Sequence, residues 1–216
     1  MQSTTNNRLQ LSLKKALFWD LDPTEYRLQS LKKMQVRRFS PMHKVGIDQI
    51  CTAFDITNID YLVHTSRHGE LNTSDDLIQN IIKGETLSPS KFSQSTHNAL
   101  PGNLSAMCKR PFPISSISAG KSSISMGMIS AISALNSADN EYYRVLFVYL
   151  ESSPRDLYKD VVDTSNQLAC LLFERGNDYS IDTVNDPNHK DEFQSLKDWD
   201  RTSKLVLNSV VLDQSI

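Results

Sequence analysis

The segment from Ile114 to Leu135 constrains the fold more than any other part of this 216-residue chain. Its apolar beginning predicts a buried strand that ends at Ser118, and Ala119–Gly120–Lys121 predict a sharp turn. The residues that follow, 122–138, include no Asp, Glu, Lys, Arg or His. A helix that faces water carries a charged face, so we expect this uncharged helix to be covered on nearly all sides.

The predicted turn has the form of a catalytic elbow without a catalytic residue. Enzymes often place a nucleophile where a strand turns into a helix, because the helix N-terminus offers free N–H groups and the positive end of its dipole. Here the turn offers Gly120 and Lys121, and neither is suited to act as a nucleophile. The sequence therefore predicts a frame for a catalytic centre whose nucleophile position is vacant.

Charge is spread unevenly along a chain whose net charge is only −2. Residues 1–50 hold nine Lys and Arg against four Asp and Glu, whereas residues 151–216 hold seven against thirteen. This asymmetry is consistent with electrostatic steering of an acidic partner to the N-terminal part. Two solvated faces of opposite sign explain the same pattern.

The cysteine spacing, the N-terminal sequence and the length of the apolar runs argue against several classes of protein. Cys51, Cys108 and Cys170 are far apart, form no C-x-x-C spacing and have no neighbouring pair of His residues, which argues against a disulfide framework and a zinc site. We therefore expect no metal and no cofactor. The N-terminus lacks the apolar core of a signal peptide, and no apolar run approaches the roughly 20 residues that cross a bilayer. We expect a cytoplasmic protein without a membrane span.

Strand and helix patterns alternate along the chain. Tyr143–Leu150 is a continuous apolar run of the kind that is buried on both faces of a sheet. Gln167–Phe173 predicts another buried strand, and Tyr179–Val184 is predicted to pair with it through a turn at residues 175–178. Strands that alternate with helices indicate an α/β domain with a mixed sheet and a central buried helix.

Two helix starts and three divisions of the chain can be predicted. Ser40–Pro41 predicts a helix by an N-cap followed by proline, and Thr73–Asp76 predicts another by its N-cap and acidic first turn. The second helix should present one apolar face, made of Leu77, Ile78, Ile81 and Ile82. We divide the chain into an N-terminal extension (1–36), the α/β domain (37–184) and an acidic C-terminal tail that packs on it (185–216).

Four short stretches carry a resemblance to a known family. They are RRFSP at Arg37–Pro41, VHTSRHGEL at Val63–Leu71, the Leu-Ser-Pro, Phe-Ser and His-Asn elements within Leu87–Asn98, and ISAG at Ile117–Gly120. In this order they resemble the N-terminal half of the β-ketoacyl synthases, which have the thiolase fold. The resemblance is closer to the short β-ketoacyl synthase-like, N-terminal domain proteins of bacterial aryl polyene pathways.

The resemblance implies a catalytic centre that this chain lacks. Active ketosynthases carry Cys after a Thr-Ala pair at the elbow. Matching Ser118–Ala119 to that pair puts Gly120 at the Cys position, and counting without a gap from Asn98 puts Lys121 there. The family also uses two His from a C-terminal half, whereas the only late histidine here is His189. We therefore expect no catalytic residue and no acyl-transfer activity.

The family also contains chain length factors, which lack the active Cys and pair with an active ketosynthase. By resemblance, this chain is expected to form a heterodimer with an active β-ketoacyl synthase and to limit elongation of an aryl polyene acyl chain on an acyl carrier protein. In thiolase-fold dimers the strand before the elbow pairs with its mate. The expected partner interface is Ser95, His97, Asn98, Ile114, Ser115, Ser116, Ile117 and Ser118.

Other functions remain as alternatives. Ser95 and His97 could serve a free-standing acyl thioester hydrolase or transferase, although no G-x-S-x-G elbow exists. A further alternative is a homodimeric scaffold that binds a carrier protein without setting chain length. His64, His68 and Glu70 could approach a metal, but the turn 67–70 is more simply a structural one.

A basic cluster offers a docking surface for an acidic partner. Lys32, Lys33, Arg37 and Arg38, with Arg27 and Lys44 nearby, could receive an acyl carrier protein. Nucleic acid would require a basic domain with interleaved aromatic residues, and the net charge of −2 argues against it. A solvated helix face is the simplest alternative.

Overall fold

A mixed sheet of seven strands organises the chain. The computed structural model describes residues 9–20, 22–139, 141–184 and 191–215, so that His189 lies outside the described residues. The elements are β1 Leu9–Trp19, α1 Lys33–Val36, α2 Pro41–Ala53, β2 Tyr61–Thr65, α3 Leu71–Ile82, α4 Pro89–Gln94, α5 Ala99–Cys108, β3 Ile114–Ile117, α6 Ser123–Leu135, β4 Arg144–Glu151, β5 Gln167–Thr183, α7 Glu192–Asp198, β6 Leu205–Val206 and β7 Val210–Gln214.

The strand order is β3-β2-β4-β5-β7-β6, and β1 also pairs with β5. β2 runs parallel to both β3 and β4, whereas β4, β1 and β7 run antiparallel to β5. The carboxyl ends of the three parallel strands therefore lie at the same end of the sheet, where β3 leads into α6. The predicted α/β class with a mixed sheet is confirmed.

Helices cover both faces of the sheet. One apolar core joins α6 and α7 to one face of β4 and β5, and a second joins α2 and α5 to the other face. β4 alternates between the two cores: Phe147 belongs to the first and Val148 to the second, and neither is exposed. The prediction of a strand buried on both faces is thus confirmed for β4.

The predicted pairing of Tyr179–Val184 with Gln167–Phe173 is wrong. Apart from Val184, both segments belong to the single strand β5, and β1 pairs with residues 168–174 and 179–181 of it. Residues 175–178 do not form the predicted turn. They are an irregular part of β5 that is skipped in the pairing with β1, since Leu11 pairs with Tyr179 and the next residue, Ser12, pairs with Glu174. The sheet accordingly crosses both predicted boundaries: β1 comes from residues 1–36, and α7, β6 and β7 come from residues 185–216.

Two further expectations from the sequence need correction. The strand before the elbow, β3, is the edge strand of the sheet and is half-exposed rather than buried. The second predicted helix, α3, begins at Leu71, and Thr73 donates a hydrogen bond to Glu70 instead of capping the helix. Of its predicted apolar face only Leu77 is buried, whereas Ile78, Ile81 and Ile82 are exposed.

The uncharged helix α6 is covered, as predicted. Its buried residues include Met128, Ala131 and Ile132, and among its large apolar residues only Met126 is exposed. The cover comes partly from residues 191–215, which we call the C-terminal segment. Phe193 and Leu196 of α7 belong to the same apolar core as α6.

Candidate functional site at the elbow

Residues 118–121, which we call the elbow, connect β3 to α6 by a short 3-10 turn that starts at Gly120. Gly120 has φ +58°, in the left-handed region that favours glycine. The elbow is exposed, and it offers no thiol. Both residues that the sequence places at the nucleophile position, Gly120 and Lys121, therefore stand at an accessible turn before a helix N-terminus.

The hydroxyl groups around the elbow serve the backbone. Ser118 Oγ donates to the carbonyl of Arg67 at 3.0 Å. Ser123 Oγ lies 2.8 Å from the carbonyl of Gly120 and 3.0 Å from the N–H of Ala119. These contacts hold the turn in shape, and within the described residues the hydrogen bonds of both serines go to backbone groups.

A buried acid fixes the loop beside the elbow. Glu151 ends β4 and is 1% exposed. Its Oε2 accepts hydrogen bonds from Ser66 Oγ and from the N–H of Arg67, at 3.0 and 2.6 Å. Burial raises the pKa of Glu151 to about 7 against the lowering effect of these bonds. The loop after β2, which Ser118 and Ser123 touch, thus rests on a carboxyl group that titrates near neutrality.

The C-terminal segment reaches the elbow through a second buried acid. Glu192 Oε2 lies 3.1 Å from the N–H groups of both Ile124 and Ser125, in the first turn of α6. Residues of the elbow and of α7 line a common cleft of about 300 Å³. Its lining includes Arg67, Gly120, Lys121, Tyr149, Asp163 and Glu192.

The predicted partner interface falls into two neighbouring parts. His97 Nε2 donates to the carbonyl of Ile117 at 3.0 Å, which attaches the turn between α4 and α5 to the end of β3. The His97 ring also packs on His64, with centroids 5.1 Å apart. Burial and the nearby His97 and His43 hold the pKa of His64 well below its usual range. The turn around Ser95, His97 and Asn98 therefore lies beside the edge strand Ile114–Ile117.

The outer edge of β3 has no partner strand within the described residues. In a parallel ladder alternate residues bond to the neighbouring strand. The carbonyls of Pro113 and Ile117 accept from the N–H groups of Leu62 in β2 and of Ser66 directly after it. Ile114 and Ser116 therefore direct their backbone groups to the open edge. An edge with free N–H and C=O groups is a template for pairing with another chain.

The alternatives based on Ser95 and on metal have no supporting geometry. Ser95 Oγ donates to the carbonyl of Phe92, and the structure shows no hydrogen bond between Ser95 and His97. His64 is buried whereas His68 is exposed, and Glu70 pairs with His43 at 3.0 Å. Within the described ranges, no group of three or more His, Cys, Asp or Glu is arranged to hold a metal ion.

The basic cluster lines a groove next to α1 and α2, which we call the basic groove. Its cations are Arg27, Lys33, Arg37 and Lys44, and its apolar lining includes Leu28, Leu31, Val36 and Val45. Lys32 and Arg38 are exposed nearby. Buried Asp48 fixes one wall of the groove, because it accepts bonds from Tyr26 Oη and from the N–H groups of residues 29–31.

The sheet, the strand-to-helix elbow and the central covered helix define a thiolase-like domain of the ketosynthase N-terminal type. The family described as "Beta-ketoacyl synthase, N-terminal domain" matches residues 10–213. The chain belongs to this family. A search of curated proteins found no match.

Solved structures show the same fold. The chain is 24% identical, with a TM-score of 0.79, to a chain of the ketosynthase ApeO in complex with its chain length factor ApeC from Xenorhabdus doucetiae; the match covers 97% of this chain and 100% of that one. The ishigamide ketosynthase/chain length factor gives 11% identity, TM-score 0.60, and coverage of 76% and 54%. A type II acyl-carrier protein–ketosynthase complex, AntDE:AntF, gives 15% identity, TM-score 0.54, and coverage of 79% and 58%.

Two features of the site are missing from the sequence-based prediction. Glu192 and Asn208 lie in a segment that reads as a polar tail, yet both are 4% exposed and bonded at the elbow. Glu151 ends an apolar run and reads as its polar boundary. No local spacing connects these residues to Gly120, so only the fold brings them together.

None of the helices in the described part of the chain is long and apolar enough to cross a membrane.

Proposed function

We propose that this chain is a non-catalytic, ketosynthase-like subunit that pairs with an active β-ketoacyl synthase. Its role is to limit the length of an acyl chain, of the aryl polyene type, that is elongated on an acyl carrier protein. The observation that carries the proposal is the ketosynthase-type elbow at Gly120–Lys121, which is exposed and has no nucleophile. A ketosynthase-type elbow that lacks its nucleophile is consistent with a subunit that acts by binding an active ketosynthase.

The open edge of β3 supports the pairing. Ile114 and Ser116 present free backbone groups, and Ile114 is 36% exposed. A partner strand would satisfy these groups and cover the apolar side chain, while Ser95, His97 and Asn98 would lie at the rim. One of the solved chains with the same fold comes from a complex between a ketosynthase and its chain length factor. The mechanism of length control is steric: interface side chains close the end of the partner's tunnel.

The basic groove supports contact with the carrier protein. Its four cations form no ion pair with any acid in the described residues, and an acidic helix could bring charges to them and apolar residues to its floor. Carrier-protein binding without length control is the second candidate, since the groove alone is compatible with it. The hydrolase alternative has no such support, because Ser95 and His97 are bonded to separate backbone carbonyls.

Co-expression with an active β-ketoacyl synthase tests the proposal. We expect a complex that co-purifies, elongates acyl chains on a carrier protein, and gives a narrower range of product lengths than the ketosynthase alone. The chain alone should not turn over acyl thioesters. Turnover by the chain alone that Ser95→Ala or His97→Ala abolishes would refute the proposal, and a complex with unchanged product lengths would favour the scaffold function.

A matched pair of variants tests the interface. Ser116→Pro removes an N–H from the open edge of β3, whereas edge strands otherwise tolerate proline. We expect it to reduce co-purification by at least about tenfold, the effect of ~1.4 kcal/mol of interface energy. Ser116→Ala keeps the N–H and deletes a buried hydroxyl that has no hydrogen-bond partner among the described residues, so it should leave the complex intact. Equal co-purification of both variants would exclude β3 as the contact.

A further inference from the structure

The N-terminus of α6 lacks a cap from its own sequence. The N-cap residue Ser122 accepts no hydrogen bond in its side chain. A helix leaves its first N–H groups without internal partners, and a capping side chain normally accepts from the second or third of them. In α6 these N–H groups belong to Ile124 and Ser125, and Glu192 Oε2 accepts from both at 3.1 Å. The cap therefore comes from 67 and 68 residues further along the chain.

The other oxygen of Glu192 ties the same carboxylate to the elbow. Oε1 accepts from the N–H of Asn208 at 3.1 Å. The side-chain amide of Asn208 in turn donates to the carbonyl of Lys121 at 3.1 Å. Burial raises the pKa of Glu192, and the hydrogen bonds from Ser125, Asn208 and Ile124 act in the opposite direction. The C-terminal segment thus contacts both the turn and the helix that follows it.

We propose that Glu192 is a built-in occupant of the anion-binding position at the elbow. A free helix N-terminus lowers the pKa of a nearby thiol and stabilises a developing negative charge. With the Glu192 carboxylate on its N–H groups, α6 cannot do either for a group at position 120 or 121. The elbow is therefore closed to acyl-transfer chemistry by a second device, separate from the missing nucleophile. This inference does not depend on a partner subunit or on chain-length control.

A reporter thiol at the elbow measures this closure. Lys121→Cys places a thiol at an exposed position that lines the same cleft as Glu192. Burial raises the pKa of Cys51 to about 12, and burial also raises the pKa values of Cys108 and Cys170, so the native thiols should react slowly at neutral pH. The rate of alkylation by iodoacetamide as a function of pH gives the pKa of the new thiol.

We expect this pKa to stay at or above the usual value of about 8.5 in Lys121→Cys. In Lys121→Cys/Glu192→Gln it should fall by about one unit, equivalent to about tenfold more thiolate at pH 7, because the negative charge at the helix N-terminus is removed while an oxygen acceptor for its N–H groups is kept. Asp163→Asn is the charge-matched control. It removes an exposed acid from the same cleft without touching α6, and solvent screening should keep its effect below about 0.3 units.

Equal pKa values with and without Glu192, or an equal fall with Asp163→Asn, would overturn the proposal. A measurement on the unsubstituted chain guards against loss of folding in Glu192→Gln. The amide resonances of Ile124 and Ser125 should shift together with the titration of a single buried carboxyl group. Amide resonances that do not shift with this titration would also refute the assignment of Glu192 as the cap of α6. Neither measurement involves the ketosynthase or the carrier protein, so failure here leaves the proposed function standing.

Discussion

At the residue scale, the buried acids near the elbow differ in how fully they are bonded. Both oxygens of Glu192 accept hydrogen bonds. In Glu151 only Oε2 does so, and the buried Oε1 has no partner among the described residues. An ionised carboxylate with one uncompensated oxygen is costly inside a protein. Burial raises the pKa of Glu151 to about 7, and hydrogen bonds to a single oxygen offset only part of that effect.

Glu151 should make stability depend on pH in a specific direction. Because its pKa is raised from 4.5 to about 7 on folding, the folded state favours the protonated form. Its contribution is fully present below pH 4.5 and is lost as the pH rises through 7. We expect the free energy of unfolding to fall on the order of 2–3 kcal/mol between pH 4.5 and 8 from this group. Denaturant titrations at several pH values measure it.

Glu151→Gln should remove that component while keeping an oxygen for the N–H of Arg67. Its free energy of unfolding should therefore vary less with pH than that of the wild-type chain. Glu25→Gln, at an exposed position, should preserve the wild-type profile. If the profiles of Glu151→Gln and wild type are parallel from pH 4.5 to 8, Glu151 does not titrate as described.

At the element scale, α6 packs against the sheet through a position that permits no side chain. A Cβ at Gly127 would lie 2.7 Å from Phe147 Cε2 and 2.9 Å from Thr65 Cγ2. Both neighbours are buried in the sheet, on β4 and β2. The close approach explains how a helix without charged residues buries so much of its surface against the strands.

Gly127→Ala should destabilise the fold for this reason. Overpacking a core costs about 1–3 kcal/mol, which exceeds the gain of up to about 1 kcal/mol from replacing glycine within a helix. Gly102→Ala is the matched control, because a Cβ there meets nothing within 4 Å. We expect Gly102→Ala to raise the midpoint of thermal unfolding and Gly127→Ala to lower it. A rise in both midpoints would show that α6 can move away from the sheet.

Elements with a regular apolar pattern are predictable from this sequence, and those interrupted by charge are not. The run Tyr143–Leu150 and the uncharged helix point directly to β4 and α6. The alternation in β1 is broken at Lys14 and Lys15, where the register with β5 shifts, so the pattern hides a strand. Gly176 lies within β5, but a glycine between polar residues is typical of a turn, so the sequence pattern predicts a turn there. The vacant elbow follows from the residue types, whereas the Glu192 contact requires the fold.

At the scale of the whole molecule, opposite charges lie in different parts of the fold. The first fifty residues are basic, and residues between 23 and 45 line the basic groove. The acidic C-terminal part supplies the strand β7 and part of the cover of α6. Asp48 is a buried acid within this basic part. Burial acts to raise its pKa, but the hydrogen bonds from Gln29, Ser30 and Tyr26 outweigh that effect, so the pKa lies below its usual value. Its buried charge organises the groove instead of neutralising its surface.

This separation gives different surfaces to the two proposed partners, and charge reversal can tell them apart. Lys33→Glu/Arg37→Glu places two negative charges in the basic groove, which an acidic carrier protein should then avoid. We expect the affinity for the carrier protein to fall at least about tenfold at low salt, with the difference shrinking as the ionic strength rises. Isothermal titration with the carrier protein at two salt concentrations measures the effect.

Co-purification with the ketosynthase should be unchanged in the same variant, because β3 forms the proposed contact and lies at the edge of the sheet. Lys83→Glu/Lys204→Glu alters the net charge equally at two exposed positions outside the groove and should leave carrier binding within about twofold of wild type, since exposed charges at a distance are screened. If both double variants weaken carrier binding equally, overall charge and not the basic groove attracts the carrier protein. If the groove variant also loses the ketosynthase, one surface serves both partners, and the assignment of separate surfaces is wrong.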